Sequence, residues 1–216
     1  MKDIVNMNYC LCKSIFDDVD YIWEVLPKIK DYILEFGNSL DNKHYTKINN
    51  NVWIGNNVNI SDNATIIGPC IIDDNTEIRT GAYIRGNVII GKNVVIGNST
   101  EVKNSILFDY AQIPHFNYVG DSIIGYKAHL GAGVIISNLK NDKSNIVIKG
   151  EKKFDTGLRK FGAVIGDNVD VGCNSVVFPG TIIFPNTSVY PLTRVRGVIR
   201  ENCIVKDENT IIDKLI

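Results

Sequence analysis

No stretch of this 216-residue sequence approaches about 18 consecutive apolar residues, so no membrane-spanning helix is expected. Met1–Phe16 has Lys2, Asp3 and Lys13 scattered through it and lacks the charged, apolar, small order of a signal peptide. Excess charge is missing too: 23 Lys and Arg against 24 Asp and Glu leave a formal net charge of −1. That balance removes the electrostatic case for a general nucleic-acid binder. It also speaks against disorder, which goes with high net charge and few β-branched residues. The five cysteines (Cys10, Cys12, Cys70, Cys173, Cys203) are odd in number and show no repeated CxxC spacing. They read as reduced thiols of a cytoplasmic protein, neither a disulfide framework nor a zinc site. Histidine is scarce: only His44, His115 and His129 occur.

What the chain does have is Ile (33), Val (21) and Asn (25), a mixture that favours short strands broken by turns over a helical bundle. From Val52 onward the apolar residues recur at intervals of six: Ile54, Ile60, Ile66, Ile72, Ile78, Ile84, Ile90, Ile96, Val102 and Phe108. Two residues before each stands a second inward candidate, from Val52 and Val58 to Thr100 and Ile106. Helices and hairpin sheets have no such period. A triangular coil of three short strands does, closing after 18 residues and pairing in parallel with the coil beneath it, ~4.8 Å away. Stacked coils bury a continuous core that no single repeat buries alone. Pro114 keeps the six-fold position, and the next set (Ile124, Leu130, Ile136) is displaced by four residues. A third set runs from Ile165 to Val195 after a non-repetitive segment, 138–161. The sum predicts roughly six or seven coils and a prism about 30 Å long.

Residues 1–48 precede the repeat. Asp17 and Asp18 suit the start of a short helix through Leu26. Pro27 suits the first turn of a second helix, and Gly37 its C-terminus. The plain expectation is a lid over the open end of the prism. Residues 49–195 are then the prism, with 138–161 inserted, and 196–216 a tail holding a strand and a short helix. The inserted segment carries seven Lys/Arg against three Asp/Glu.

Prism corners normally take small residues, and four positions break that habit. Arg79, Arg85 and Lys103 follow Ile78, Ile84 and Val102, and His115 follows Pro114. Lys103, 18 residues after Arg85, stacks directly above it; His115, 36 after Arg79, lies two coils up on the same corner. Stacked like charges repel, which an anionic ligand would relieve. Pairing with Glu77, Glu101 and Asp121, or exposure to water, explains them equally well. His115 lies in an irregular turn beside Tyr118 and Asp121, and an imidazole accepts a proton near neutral pH. A three-histidine metal site fails on count, because only His115 and His129 fall in the coils.

The hexapeptide period resembles that of the left-handed parallel β-helix proteins, an all-β class; the handedness comes from the resemblance alone. The runs Arg79-Thr80-Gly81-Ala82, Glu101-Val102-Lys103-Asn104, His115-x-x-Tyr118-x-Gly120-Asp121, Gly131-Ala132-Gly133 and Asn138 are similar to one branch of them. That branch is the acetyltransferase half of the bifunctional glucosamine-1-phosphate acetyltransferase/N-acetylglucosamine-1-phosphate uridylyltransferases. The runs Ile148-Lys149-Gly150-Glu151, Gly157-Leu158-Arg159-Lys160 and Gly162–Asp167 look like the related archaeal-type sugar-phosphate nucleotidyltransferase/acetyltransferases. The resemblance implies an acetyl-CoA-dependent N-acetyltransferase for an amino-sugar phosphate, forming homotrimers and needing no metal. His115 matches the general base, Arg79, Lys103 and Tyr118 the sugar-phosphate contacts, Asn138 a residue near the amine and acyl group, and Ala132 a backbone contact to pantetheine. His129 stands where an asparagine contacts the sugar, Leu139 replaces a tyrosine, and Cys173 replaces a serine that meets the cofactor. Residues 1–48, with one glycine, lack the phosphate loop of the nucleotidyltransferase half. The rival expectation is a non-catalytic sugar-phosphate-binding or assembly protein of the same fold.

Overall fold

The computed structural model describes residues 4–49, 51–150 and 153–215. Parallel strands, most of two or three residues, stack into three long sheets that form the faces of a prism: face A begins with Val52–Ile54, face B runs from Asn59–Ile60 to Cys203–Asp207, and face C from Thr65–Ile66 to Arg194–Val195. The architecture is the expected left-handed parallel β-helix. Face A contains eight parallel strands, from Val52–Ile54 to Val198–Ile199, so there are about eight coils rather than six or seven. Coiling continues past Val195: Val198–Ile199 and Cys203–Asp207 pair in parallel with the coil below. The tail then turns back as the antiparallel strand Thr210–Asp213, with no helix among the described residues.

Ile, Val and Leu point inward in stacked columns, such as Ile72, Ile90, Leu107, Ile124, Ile165 and Ile183 on face A. Each coil also needs tight corners with a left-handed residue. Asn57, Asn75, Asn93, Asn168, Asn186 and Asn202 supply it on the corner between faces A and B, with φ of 53–58°. Asparagine amides hydrogen-bond up this corner, Asn57 to Asn75 (3.3 Å), Asn168 to Asn186 (3.2 Å) and Asn186 to Asn202 (3.1 Å).

Two features depart from the sequence reading of the repeat. The single displacement of four is two separate losses of one residue, both on the corner between faces C and A. Inward Val102 is followed by inward Leu107, and inward Val119 by inward Ile124. Leu107 and Ile113 therefore take the inward places that the strict period gives to Phe108 and Pro114. Phe108 is buried on the outside of the prism instead. His115 stays on the corner of Arg79 but one residue out of register with it, aligned with Asn98.

The N-terminal segment is a strap along face A, not a lid over the end. Seven of the eight outward residues of face A, Trp53, Ile71, Ile89, Ile106, Ile123, Val164 and Ile182, are at most 2% exposed; Val198, on the last strand, is open. Ile4, Ile15, Phe16, Trp23, Leu26, Ile29 and Ile33 cover them in a second core. The strap begins beside Asp167, whose carboxylate accepts from the Asn6 N–H (2.7 Å), and Tyr9 stacks on Tyr126 at 3.7 Å. It is mostly 3₁₀, including Ile22–Lys28, where the Glu24 carboxylate accepts the Asp20 and Tyr21 N–H groups (both 3.0 Å). The helix Ile29–Ser39 follows. Gly37 lies inside that helix rather than beyond it, because an added Cβ would stand 2.8 Å from the Trp53 ring. The inserted segment also joins this core: Val147–Lys149 and Lys153–Asp155 form an antiparallel hairpin, and Phe154 and Phe161 pack on Trp23.

Trp53→Ala is expected to cost about 3–5 kcal/mol, as truncation of a fully buried aromatic does. The inner Ile/Val columns should survive. The checks are urea denaturation, retention of the β-sheet circular dichroism, and limited proteolysis, which should now cut within the first 48 residues. An unchanged digestion pattern would show that the strap does not depend on face A.

Candidate active site

Apart from His129, the residues singled out in the sequence fall on the two edges of face C. On the B–C edge, His115, Ala132 and Cys173 stack on successive coils. The turn at His115 is held from inside. Asn117 is buried, its Oδ1 accepts the His115 N–H (3.1 Å), and its Nδ2 donates to the Gly131 carbonyl (2.7 Å). Phe116, with φ +53°, is 59% exposed beside His115, where neighbouring turns use Gly133 or Asn174. A bulky side chain in the left-handed region costs stability, and here it places an aromatic ring at the imidazole's side.

On the C–A edge, the stacked corner positions Asn104, Asp121 and Asn138 meet Lys103 and Tyr118. Asp121 Oδ2 accepts from Lys103 Nζ (3.1 Å) and from Asn138 Nδ2; Asp121 Oδ1 accepts from Asn104 Nδ2 (2.9 Å). Asn138 Nδ2 also donates to Tyr118 Oη (3.2 Å). The strap reaches this cluster, since Asn104 Nδ2 donates to the Leu26 carbonyl (3.3 Å). Gly120 is required here by contact: its Cβ would lie 2.6 Å from Tyr118 Oη and 2.7 Å from Asn138 Nδ2. Burial, then the charges of Asp121 and Glu101, push the Tyr118 phenol above its usual range, so it remains a hydroxyl at neutral pH.

The remaining candidates do not bond to the Asp121 cluster. Arg79 is on the B–C corner, paired with Glu77 (3.0 Å), and does not join Lys103. Arg85, directly beneath Lys103, pairs with Glu101 (2.6 Å). Within one chain, then, each of the three cations has a carboxylate partner among Glu77, Glu101 and Asp121. His129 faces outward on face B, its Nδ1 2.8 Å from Asp170 Oδ1. Above the Asp121 cluster, three hollows of about 330, 120 and 470 Å³ share Arg196, whose guanidinium lies over the Phe178 ring at 4.6 Å. Lys140 and Lys149 of the inserted segment line them. The His44, Asp73 and Asp74 side chains also bring potential metal-ligating atoms within 4.8 Å of one another. Lys92 (3.4 Å from Asp74) and the Tyr45 hydroxyl (2.6 Å from Asp73) already partner those carboxylates.

Residues 66–199 match the family described as the GMPPB C-terminal domain, which is more than half of the chain. The protein belongs to that family. Its relatives include the bifunctional protein GlmU of Methanococcus maripaludis, 42% identical over 78 residues, 36% of this chain and 19% of that protein. A bifunctional sugar-1-phosphate nucleotidylyltransferase/acetyltransferase of Sulfurisphaera tokodaii is 41% identical over 80 residues, 36% of this chain and 20% of that one. The match thus spans about a fifth of each relative. Among solved structures, a mutant of the Bacillus cereus N-acyltransferase AntD, in complex with dTDP and coenzyme A, is 17% identical with a TM-score of 0.48. The alignment covers 79% of this chain and 90% of that one.

Gly120→Ala should destabilise the protein by about 1–3 kcal/mol through overpacking, without a backbone penalty. The expected result in urea denaturation is a lower midpoint with native circular dichroism. An unchanged midpoint would mean that Tyr118 and Asn138 yield freely.

Proposed function

We propose that this chain is an acetyl-CoA-dependent N-acetyltransferase acting on an amino-sugar phosphate of the glucosamine 1-phosphate type, working in the cytoplasm as a homotrimer. The observation that carries the reading is the cluster on the C–A edge. Lys103 and Asn138 bond one buried carboxylate, that of Asp121, and Tyr118 joins them through the Asn138 amide, so that three coils contribute. Such a cluster offers a cation for a phosphate, a hydroxyl donor and an amide for a sugar, and it adds little to holding a prism together. The sugar-1-phosphate and acetyltransferase words in the name of the Sulfurisphaera tokodaii relative point the same way.

In this reading the substrate amine attacks the thioester carbonyl carbon, a C–N bond forms, and the C–S bond breaks to release the thiol of coenzyme A. His115 takes the proton from the amine, directly or through a water. Lys103 holds the phosphate and so aligns the amine with the acyl group. A backbone N–H near Ala132 steadies the oxyanion, with Cys173 next along the path of the pantetheine arm. Arg196, Lys140 and Lys149 suit the phosphates of the co-substrate. Arg79 and His129 sit apart from Lys103, so each reaches this substrate only from a neighbouring copy, as does His115 on the opposite edge of face C. A cyclic trimer that sets the B–C edge of one subunit against the C–A edge of the next completes the site.

The decisive experiment is a screen of amino-sugar 1-phosphates with acetyl-CoA, reading thiol release. His115→Ala should leave folding and assembly intact while transfer falls about 10²–10⁴-fold. A folded His115→Ala at full rate would remove His115 from the mechanism. Lys103→Ala should weaken the sugar phosphate about ten- to a hundredfold and acetyl-CoA far less. Sedimentation of a monomer at micromolar concentration would overturn the shared site. A non-catalytic binder would instead give no thiol release with any sugar.

A further inference from the structure

Asp121 occupies a position where the prism has another, neutral solution available. On the A–B corner, asparagine amides bond directly to one another from coil to coil. On the C–A corner the same ladder is Asn104, Asp121, Asn138, with a carboxylate in the middle rung. Asn104 and Asp121 both take the left-handed backbone (φ 44° and 50°), and both sit where a coil has lost one residue. Burying an anion to do what an amide does elsewhere is costly, and Lys103 at 3.1 Å only partly offsets it.

The carboxylate does one thing that an asparagine cannot. An ionised Asp accepts and never donates, so the group of Asn138 that faces it must be the NH₂. The same NH₂ donates to Tyr118 Oη, so both amide hydrogens are committed inward. Two consequences follow at the outer side of the cluster. Asn138 Oδ1 is turned away from Asp121 as an acceptor, and Tyr118, already accepting, keeps its own O–H to give. An Asn in the middle rung would allow Asn138 either orientation.

We propose that Asp121 is a positioning residue that fixes the polarity of the site. It holds Asn138 with its oxygen presented to an N–H of the substrate amine, Tyr118 as a donor to a sugar oxygen, and Lys103 in place for the phosphate. The inference rests on the acetyltransfer reading and extends it to hydrogen-bond direction: the site selects a substrate that donates at Asn138 and accepts at Tyr118.

The test compares Asp121→Asn, Asn138→Asp and the double variant, with α-glucosamine 1-phosphate and acetyl-CoA as substrates. Each single change should lower kcat/KM for the sugar phosphate about ten- to a hundredfold, with the KM for acetyl-CoA nearly unchanged. The double variant restores one carboxylate facing one amide NH₂, and should recover at least about tenfold over the worse single. A structural role predicts instead that losses multiply. A folded Asp121→Asn with wild-type constants would overturn the proposal, as would multiplying losses. An arm without turnover uses protein ¹⁵N-labelled at asparagine. The Asn138 side-chain NH₂, assigned by its loss in Asn138→Ala, should exchange slowly in the wild type and rapidly in Asp121→Asn. Rapid exchange in the wild type would overturn the proposal even if no sugar is turned over. Absence of turnover with slow exchange would count against the substrate and leave the orientation standing.

Discussion

Seven outward-pointing apolar side chains on face A, from Trp53 to Ile182, have to be taken out of water, and most of the remaining structure follows from that requirement. Each side chain of this size contributes about 1.5–3 kcal/mol when fully buried. A bare β-helix face of this composition would be an aggregation surface. The strap answers it with the helix Ile29–Ser39 and, ahead of it, with 3₁₀ turns such as Lys13–Phe16 and Ile22–Lys28, which are poor helices held by the surface beneath them. The hairpin of the inserted segment leans on the same core through Phe154 and Phe161. Sequence segments that look like loops are thereby tied to the prism.

How much of this was legible depends on which column is read. The inward column shows directly as a period of six, because every coil fills the same narrow interior. The outward column of face A has a period of three repeats, near 18, and is equally apolar: Trp53, Ile71 and Ile89 lie at that spacing. A period of six in the inward positions is silent about the residues between them, so it does not distinguish a strap along face A from a lid over its end. The register slip is hidden for a related reason. Ile106-Leu107-Phe108 is apolar at three consecutive positions, so composition does not say which one points inward. Backbone pairing decides it: Leu107 aligns with Ile90.

The candidate site was legible in its members more than in its arrangement. Lys103, Tyr118 and Asn138 come together, and Lys103 does stack on Arg85. Arg79 falls on the other corner with Glu77, because six residues are one whole side of the triangle. Asp121 appeared in the sequence only as a possible counter-ion. Its place between Lys103, Asn104 and Asn138 follows from the two shortened corners, which no count of sixes contains. Asn104 stands in the sequence only as the end of the run Glu101-Val102-Lys103-Asn104, whereas in the fold its amide joins Asp121 to the Leu26 carbonyl of the strap.

That last contact ties the two halves of the molecule together. With the strap lying along face A, only faces B and C and their edges remain for contact between copies. Face C carries the Asp121 cluster on one edge and the column of His115, Ala132 and Cys173 on the other. Contact between two unlike edges is heterologous, and such contacts give a closed ring when the rotation closes and an open filament when it does not. A prism with three equal bare faces would leave the choice of edges open. Here the apolar column that recruits the strap also removes face A from the choice. In the trimer proposed above, the covering of face A therefore leaves the C–A edge of one copy free to meet the B–C edge of the next, which would bring Lys103 and His115 together.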